Sequence, residues 1–384
     1  MARFWYDTRG LWMVYRPDAV HVWFDEDVRR RLSWYYAVMR DKKPAKFMIV
    51  KRVDAEEDPK KLDTEALWEL HDRLSREARR LWELARRDKF GWRELREMSE
   101  PRYSFLDVKI ELAYRMLRSC RFCERRCGVN RLEGKVGVCR LDHRVYVHSW
   151  FHHLGEEAPL VPSGTIFYGG CTFRCVFCQN WDISQENVRG GVEVDARMLA
   201  KIQKELRVTG ARNINHVGGD PVPSLHVIIE SLKYLDVNVP QLWNSNMYMT
   251  VESMKLLLDI IDIWLPDFKY GNNKCAIRLS AAPRYVEVIT RNLKMAVEYG
   301  DMIIRHLVLP NHLECCTKPV LRWIAENLPR DRILVNIMDQ YRPEYLVAKY
   351  PSRWPDIARR PTREEIEEAY EYARKLGLRF EPVS

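Results

Sequence analysis

Ten cysteines carry most of the chemistry open to this 384-residue chain, and seven of them fall between Cys120 and Cys178. The opening residues, 1–9, contain no apolar stretch of the kind that directs export. Clustered cysteines in such a chain point to metal binding or catalysis rather than to disulfides. The tighter group is Cys171-Thr172-Phe173-Arg174-Cys175-Val176-Phe177-Cys178, with spacing Cys-x3-Cys-x2-Cys. A cubane iron–sulfur cluster usually takes four thiolates. Three close cysteines hold three irons and leave the fourth without a protein ligand. An open coordination position marks a catalytic metal, whereas closed sites tend to be structural. Gly169 and Gly170, just before the trio, allow a sharp turn and close approach of backbone to a cluster. The competing reading of the trio is a zinc loop.

The second group is Cys120, Cys123, Cys127 and Cys139, spaced Cys-x2-Cys-x3-Cys-x11-Cys. Four thiolates close a metal site completely, so the expectation is structural zinc or an auxiliary iron–sulfur cluster. Gly128, Gly134 and Gly137 supply turns. Arg121, Arg125, Arg126, Arg131 and Arg140 stand among the cysteines. Four thiolates carry more negative charge than a divalent ion cancels, and these arginines offset the excess.

These groups need a scaffold. Strand patterns are expected at 165–168, 213–217, 241–244, 261–265, 302–308 and 333–337, with helical patterns at 195–206, 223–235, 251–260, 284–298, 318–327 and 363–376. Six successive β/α units imply parallel strands with right-handed crossovers. Six are fewer than the eight of a closed barrel, so the fold class is α/β, an open partial (β/α)6 barrel of TIM-like type. Its active site belongs at the C-terminal ends of the strands, where the Cys171 loop follows the first of them. Residues 161–384 make up this barrel, 116–160 a loop-like four-cysteine module, and 1–115 a mostly helical N-terminal region. In that region apolar residues from Leu67 to Leu84 recur at helical spacing. The aromatic–polar alternation of residues 4–24 suggests short strands.

The Cys171–Cys178 loop resembles the signature of the radical S-adenosylmethionine (SAM) superfamily. From Cys120 to about Phe380 the chain is similar to the uncharacterised branch of that superfamily related to pyruvate formate-lyase activating enzyme. The likeness rests on Cys127-Gly128-Val129-Asn130-Arg131-Leu132-Glu133-Gly134, on Gly155-Glu156-Glu157 with Pro159-Leu160, and on Cys178-Gln179-Asn180-Trp181 with Ile183-Ser184-Gln185. The resemblance implies a [4Fe–4S] cluster on Cys171, Cys175 and Cys178. Its open iron chelates the amino and carboxylate groups of SAM, and reduction splits the sulfonium to methionine and a 5′-deoxyadenosyl radical. It places Phe177 near the adenine, and Gly218, Gly219 and Asp220 at the methionine amino group. Asp220 is one methylene shorter than the glutamate usual in that segment. Asn244 and Ser245 suit the ribose or the carboxylate of the cosubstrate. Asp267 and Lys269 resemble the Asp-x-Lys of activating enzymes for glycyl radical proteins. Arg305 suits a carboxylate bound through both oxygens. Cys316 is the candidate for a thiol that relays a hydrogen atom. His306 and His312 either face the substrate or sit satisfied at the surface.

The resulting expectation is an oxidoreductase that abstracts hydrogen from a protein or peptide, with a ferredoxin or flavodoxin as low-potential electron donor. The alternatives are the same chemistry on RNA or a small metabolite, and a non-enzymatic zinc protein. The formal net charge of +9 fits an RNA partner, yet basic and acidic residues are interleaved, as on solvated helix faces. No apolar run reaches the length of a membrane span, so the chain is read as cytoplasmic, with no membrane partner.

Overall fold

The computed structural model describes residues 10, 12–381 and 383–384. Its strands are β1 (Val145–His153), β2 (Ser163–Tyr168), β3 (Val192–Val194), β4 (Ile214–Gly218), β5 (Gln241–Ser245), β6 (Ile263–Pro266), β7 (Asp301–Leu307) and β8 (Ile333–Met338). They form one open sheet in the order β3-β1-β2-β4-β5-β6-β7-β8. The six strands expected from the sequence are β2 and β4 to β8, and every pairing among them is parallel. The expected helices follow, among them Ala196–Val208, Leu225–Tyr234, Tyr285–Val297 and Lys318–Asn327. The sheet is not closed into a barrel. β5 and β6 are buried along their whole length, as parallel strands covered on both faces must be.

Three features depart from the sequence reading. Residues 116–160 are not loop throughout, because β1 pairs antiparallel with β2 and β3 antiparallel with β1. β1 is half-exposed beyond its first three residues, and its polar positions there masked a strand pattern. A second departure is the eight-residue helix Asn273–Ser280, started by an Asn272 side chain that accepts from Cys275 N at 2.8 Å. Finally, the described part of residues 4–24 is helical, in short turns at Trp12–Tyr15, Asp18–His21 and Val22–Phe24. Residues 4–9 and 11 lie outside the described residues. The aromatic spacing there serves packing instead, with the Trp23 ring tilted against that of Tyr36 at 4.7 Å.

The two faces of the sheet are distinct. Trp243, Trp264, Ile304 and Val335 point to the helices. Leu242, Ile263, Leu265, Ile303 and Leu334 point the other way and pack on Val22, Trp23, Val28, Leu32 and Tyr35. The N-terminal region thus floors the concave face. Side chains alternate along a strand, so the next residues on the concave face are Asn244, Asp267, Arg305 and Asn336. Each strand changes from apolar to polar within two residues toward its C-terminal end. A polar layer therefore lies above an apolar floor.

The remaining N-terminal helices grip the barrel from outside. Thr64–Arg86 buries Leu67, Leu70, Leu74, Leu81 and Ala85 on one face. Lys109 Nζ, fully buried, pairs with Asp259 Oδ2 at 2.9 Å, and Trp34 Nε1 donates to Asp262 at 2.8 Å. At the outer edge of β8, Val335 N donates to the Arg379 carbonyl at 3.0 Å and Ile337 N to Ser384 Oγ at 2.8 Å. Among the described residues no helix is long and apolar enough to cross a membrane.

Candidate active site

The Cys171 loop leaves the C-terminal end of β2. Gly170 takes a left-handed φ of +79°, and a Cβ there would stand 2.9 Å from the Cys139 carbonyl oxygen. Cys171 and Cys175 are buried and Cys178 is half-buried. Each thiol has a polar neighbour. Cys171 Sγ accepts from Phe173 N at 3.3 Å, Cys175 Sγ lies 2.9 Å from Ser280 Oγ, and Cys178 Sγ lies 3.4 Å from Ser184 Oγ. Burial pushes the Cys171 thiol well above its usual range and the Cys175 thiol to about 12. Thiolates at these positions therefore need positive charge close by. Lys269, which favours the Cys175 thiolate, and Arg174, beside Cys171, supply part of it.

β4 ends against this loop. Gly219 N donates to the Tyr168 carbonyl at 2.9 Å, and Asp220 N to the Gly170 carbonyl at 3.0 Å. Gly218 has φ +115°, a conformation that suits glycine. The Asp220 carboxylate is buried and accepts from Thr172 Oγ1 at 2.9 Å and from Ser245 Oγ at 2.8 Å. Burial raises it to about 6 against the pull of these hydrogen bonds. Asp220 thus ties the cysteine loop to the end of β5. Asn246, one residue beyond the expected Asn244 and Ser245, donates to Thr172 Oγ1 at 2.9 Å and points Nδ2 at Cys171 Sγ, 3.7 Å away. Asn244 Oδ1 accepts from Arg305 at 3.3 Å, while its buried Nδ2 has no protein partner. The Asn244 amide therefore keeps an unpaired donor at the edge of the polar layer. The donor set fits a group carrying carboxylate or hydroxyl oxygens.

Comparison with known proteins agrees with this geometry. The radical SAM superfamily profile matches residues 165–324. Over 353 residues the chain is 46% identical to the "Uncharacterized protein MJ0674" of Methanocaldococcus jannaschii, an alignment spanning 91% of this chain and 98% of that protein. Residues 165–324 thus carry a radical SAM superfamily domain. Such a domain implies a [4Fe–4S] cluster and SAM as cofactors. Among solved structures, Streptococcus suis SuiB bound to S-adenosylmethionine aligns with 13% identity and a TM-score of 0.39, over 55% of this chain and 47% of SuiB. SuiB bound to its precursor peptide SuiA gives 14% identity and a TM-score of 0.39, over 55% and 46%. TYW1 with a lysine-pyruvate adduct gives 12% and 0.35, over 56% and 74%. The chain spans about half the length of SuiB.

The other residues expected to serve radical SAM chemistry fall into three places. Arg305 lies in the polar layer, but its fork is filled by the chain itself. Nε and Nη2 meet the two Glu157 oxygens at 2.6 and 2.8 Å, and Nη2 also meets Glu156. Asn336 donates to Glu157 at 2.7 Å and Asn215 to Glu156 at 2.9 Å. Two buried carboxylates face one guanidinium, so burial drives Glu156 up while Arg305 and Asn336 hold Glu157 down. The period-two step from Leu334 to Asn336 was the signal for this layer. Lys269 pairs with Asp267 at 2.8 Å. Burial opposes its charge, but Asp267 and the Cys175 thiol outweigh burial and hold it above its usual value. Phe177 is buried and meets the Tyr341 ring edge-on at 5.5 Å.

His306 and His312 are buried, not at the surface. His306 bonds the Phe268 carbonyl at 2.8 Å and Thr317 Oγ1 at 2.9 Å. Cys316 is buried as well, its thiol 3.8 Å from that of Cys315.

The upstream cysteines form the third place. The Cys123 thiol is pushed up by burial first, and further by Cys139, Cys120 and Cys127. Their arginines turn inward. Arg125 donates to the Thr172 carbonyl at 3.0 Å and Arg131 to the Asp142 and Pro223 carbonyls at 2.9 and 2.8 Å. The module is thereby bolted to the Cys171 loop.

Proposed function

We propose that this chain uses Cys171, Cys175 and Cys178 to hold a [4Fe–4S] cluster and abstracts hydrogen from a protein or peptide. When bound, the reduced cluster supplies the electron that splits SAM and releases a 5′-deoxyadenosyl radical. The chain's own part is to place and shield. Gly218 and Gly219 bring the backbone against the loop. Asp220 and Ser245 fix the end of β5, and Asn244 presents a free amide donor to the carboxylate or ribose of SAM. Phe177 offers an apolar face to the adenine. Lys269 and Asp267 set the charge beside Cys175, and Arg305, held by Glu156 and Glu157, gives the polar layer its shape. The observation that carries the reading is the trio of thiols at the C-terminal mouth of a parallel sheet, next to a buried amide with no partner.

A protein or peptide substrate, as for activating enzymes of glycyl radical proteins, is supported by Asp267 and Lys269, an ion pair at 2.8 Å that resembles the Asp-x-Lys of those enzymes. Of the arginines among the upstream cysteines, Arg125 and Arg131 donate to backbone carbonyls, whereas Arg126 is exposed and pairs with Glu124. A domain shared with a family of enzymes sets the non-enzymatic zinc reading aside. A ferredoxin or flavodoxin is the fitting reductant.

For the upstream four cysteines we favour an iron–sulfur cluster over zinc. Thiols that share one zinc ion converge to about 3.8 Å, whereas thiols on separate irons of a cubane stay farther apart. Among the described residues, no three of these four thiols lie within 4.8 Å of one another.

The decisive experiment incubates the reduced, anaerobic protein with SAM and deuterated candidate peptides, and follows 5′-deoxyadenosine by mass spectrometry. Cys175→Ala is expected to abolish 5′-deoxyadenosine. Undiminished formation would refute the cluster assignment. Deuterium in 5′-deoxyadenosine from a peptide supports that substrate class, and its appearance only from RNA or a metabolite would overturn it.

A further inference from the structure

Three cysteines take no part in either group above. Cys275 lies in the first turn of the helix Asn273–Ser280, and Cys315 and Cys316 lie on the wide turn Leu313–Thr317, some forty residues on. That turn is closed by Cys316 N and Thr317 N, which both donate to the His312 carbonyl, at 2.9 and 3.1 Å. The two elements bring Cys275 Sγ to 3.9 Å from Cys315 Sγ, and Cys315 Sγ to 3.8 Å from Cys316 Sγ. A ring nitrogen of His312 completes a group in which the Cys275, Cys315 and His312 ligand atoms all lie within 4.8 Å of one another.

These spacings have a meaning. A disulfide would hold sulfurs about 2.05 Å apart. Two thiolates on one tetrahedral zinc, each at about 2.3 Å, stand about 3.8 Å apart. The observed separations match the second case. The outer contacts are those of a ligand set too. His312 Nδ1 lies 2.8 Å from the Pro310 carbonyl, a hydrogen bond that fixes the proton there and leaves Nε2 as the acceptor. Nε2 accepts from the Arg278 guanidinium at 3.2 Å, a bond that a bound ion would replace, and lies 3.4 Å from Asp356 Oδ2. Asn272 aims Nδ2 at both the Cys275 and Cys316 thiols, at 3.4 and 3.8 Å. Cys275 and His312 are buried and Cys315 is exposed, which gives an ion a path inward.

We propose that Cys275, His312 and Cys315 form a mononuclear site for a thiophilic divalent ion, zinc(II), with the Cys316 thiol lying beside that of Cys315. Each coordinated thiol exchanges its S–H bond for a Zn–S bond and releases a proton. Two thiolates balance the charge of a divalent ion, and Arg278 beside His312 is already matched by Asp356. The ion would clamp the start of a helix whose far end supports the catalytic loop, since Ser280 Oγ contacts Cys175 Sγ and the Ser280 carbonyl accepts from Arg174 N at 3.0 Å. The site does not depend on the radical chemistry, so either assignment can fail alone.

The test uses full-length protein prepared without oxygen. Zinc and iron per chain are measured in the wild type, in Cys275→Ser/Cys315→Ser and in His312→Ala, with circular dichroism as the check on folding. The wild type is expected to hold about one more equivalent of zinc than either variant. Cobalt(II) substitution should give a thiolate charge-transfer band that the variants lose. If the variants do not fold, the wild type alone decides. Iodoacetamide labelling read peptide by peptide should spare Cys315 with zinc present and modify it after chelation. Equal zinc in folded variants, Cys315 labelled alike with and without zinc, or a Cys275–Cys315 disulfide in the oxygen-free protein would each overturn the proposal.

Discussion

Gly219 gives the sharpest handle on whether β4 and the cysteine loop form one cradle. A Cβ added there would stand 2.9 Å from the Gly170 carbonyl carbon, closer still to its oxygen, and 3.0 Å from Ser184 Cα. Ordinary contact begins at 3.4 Å, so Gly219→Ala must move backbone atoms by at least half an ångström, and the obstacle is not a side chain that can swing away. The displaced atoms precede Cys171 directly. Overpacking of this kind costs about 1–3 kcal/mol, which a chain of this size survives. The larger effect is on geometry. The Gly170 oxygen lies closest and must move furthest, and a misplacement of about 1 Å in a reacting assembly costs about 100-fold in rate, so a fall of about 100-fold in 5′-deoxyadenosine formation is expected. The assay is anaerobic turnover with dithionite and SAM, with iron and sulfide counted on the same sample. Gly91→Ala is the control, since its Cβ would lie 3.6 Å from Glu94 Oε2 and should leave the rate unchanged. A folded Gly219→Ala protein with full iron and the wild-type rate would refute the cradle.

Three further outcomes are expected. Asp259→Ala leaves Lys109 charged and buried without its partner, so urea unfolding should show a loss of about 3–5 kcal/mol, and adding Lys109→Met should restore most of it; equal loss in both variants would show that packing, not charge, was at stake. His216 is held neutral, its pKa lowered to about 4 by burial despite the hydrogen bond with Gln241. The unfolded chain takes up that proton first, so stability present above about pH 6.5 is lost as pH falls toward 4, by about 2 kcal/mol at pH 5. His216→Gln should flatten the stability–pH curve by that amount, and an unchanged slope would exclude His216 as its source. Cys127→Ser should lower iron and sulfide per chain while 5′-deoxyadenosine formation persists; loss of zinc instead of iron would reverse the preference for an iron–sulfur cluster upstream.

Much of the barrel was legible because its signals are local. Alternation of apolar strands and amphipathic helices located β2 and β4 to β8, and thiol spacing located the Cys171 loop. What stayed hidden depends on pairing across long separations. β1 was concealed by its half-exposed positions beyond its first three residues, which carry no alternation of buried and exposed side chains. Glu156 and Glu157 stood out only through family likeness, and nothing local pairs them with Arg305, about 150 residues away. The Asn336 step could have been read from the two-residue period of β8, had the inward face been known. Cys275 looked solitary until the helix Asn273–Ser280 set it opposite Cys315. Arg125 and Arg131, read from the sequence as offsetting thiolate charge, aim donors at carbonyls of neighbouring loops, a direction that composition does not carry.

The tail that lies along β8 matters to anyone who handles this protein. Arg379 and Ser384 occupy amide groups that would otherwise form a bare sheet border, and a bare border invites another copy to add itself edge to edge. An affinity tag or fusion joined after Ser384 pulls on that cover, whereas one joined ahead of residue 10 leaves it seated. Clumping that depends on which terminus carries the tag would then reflect an uncovered strand rather than a misfolded barrel.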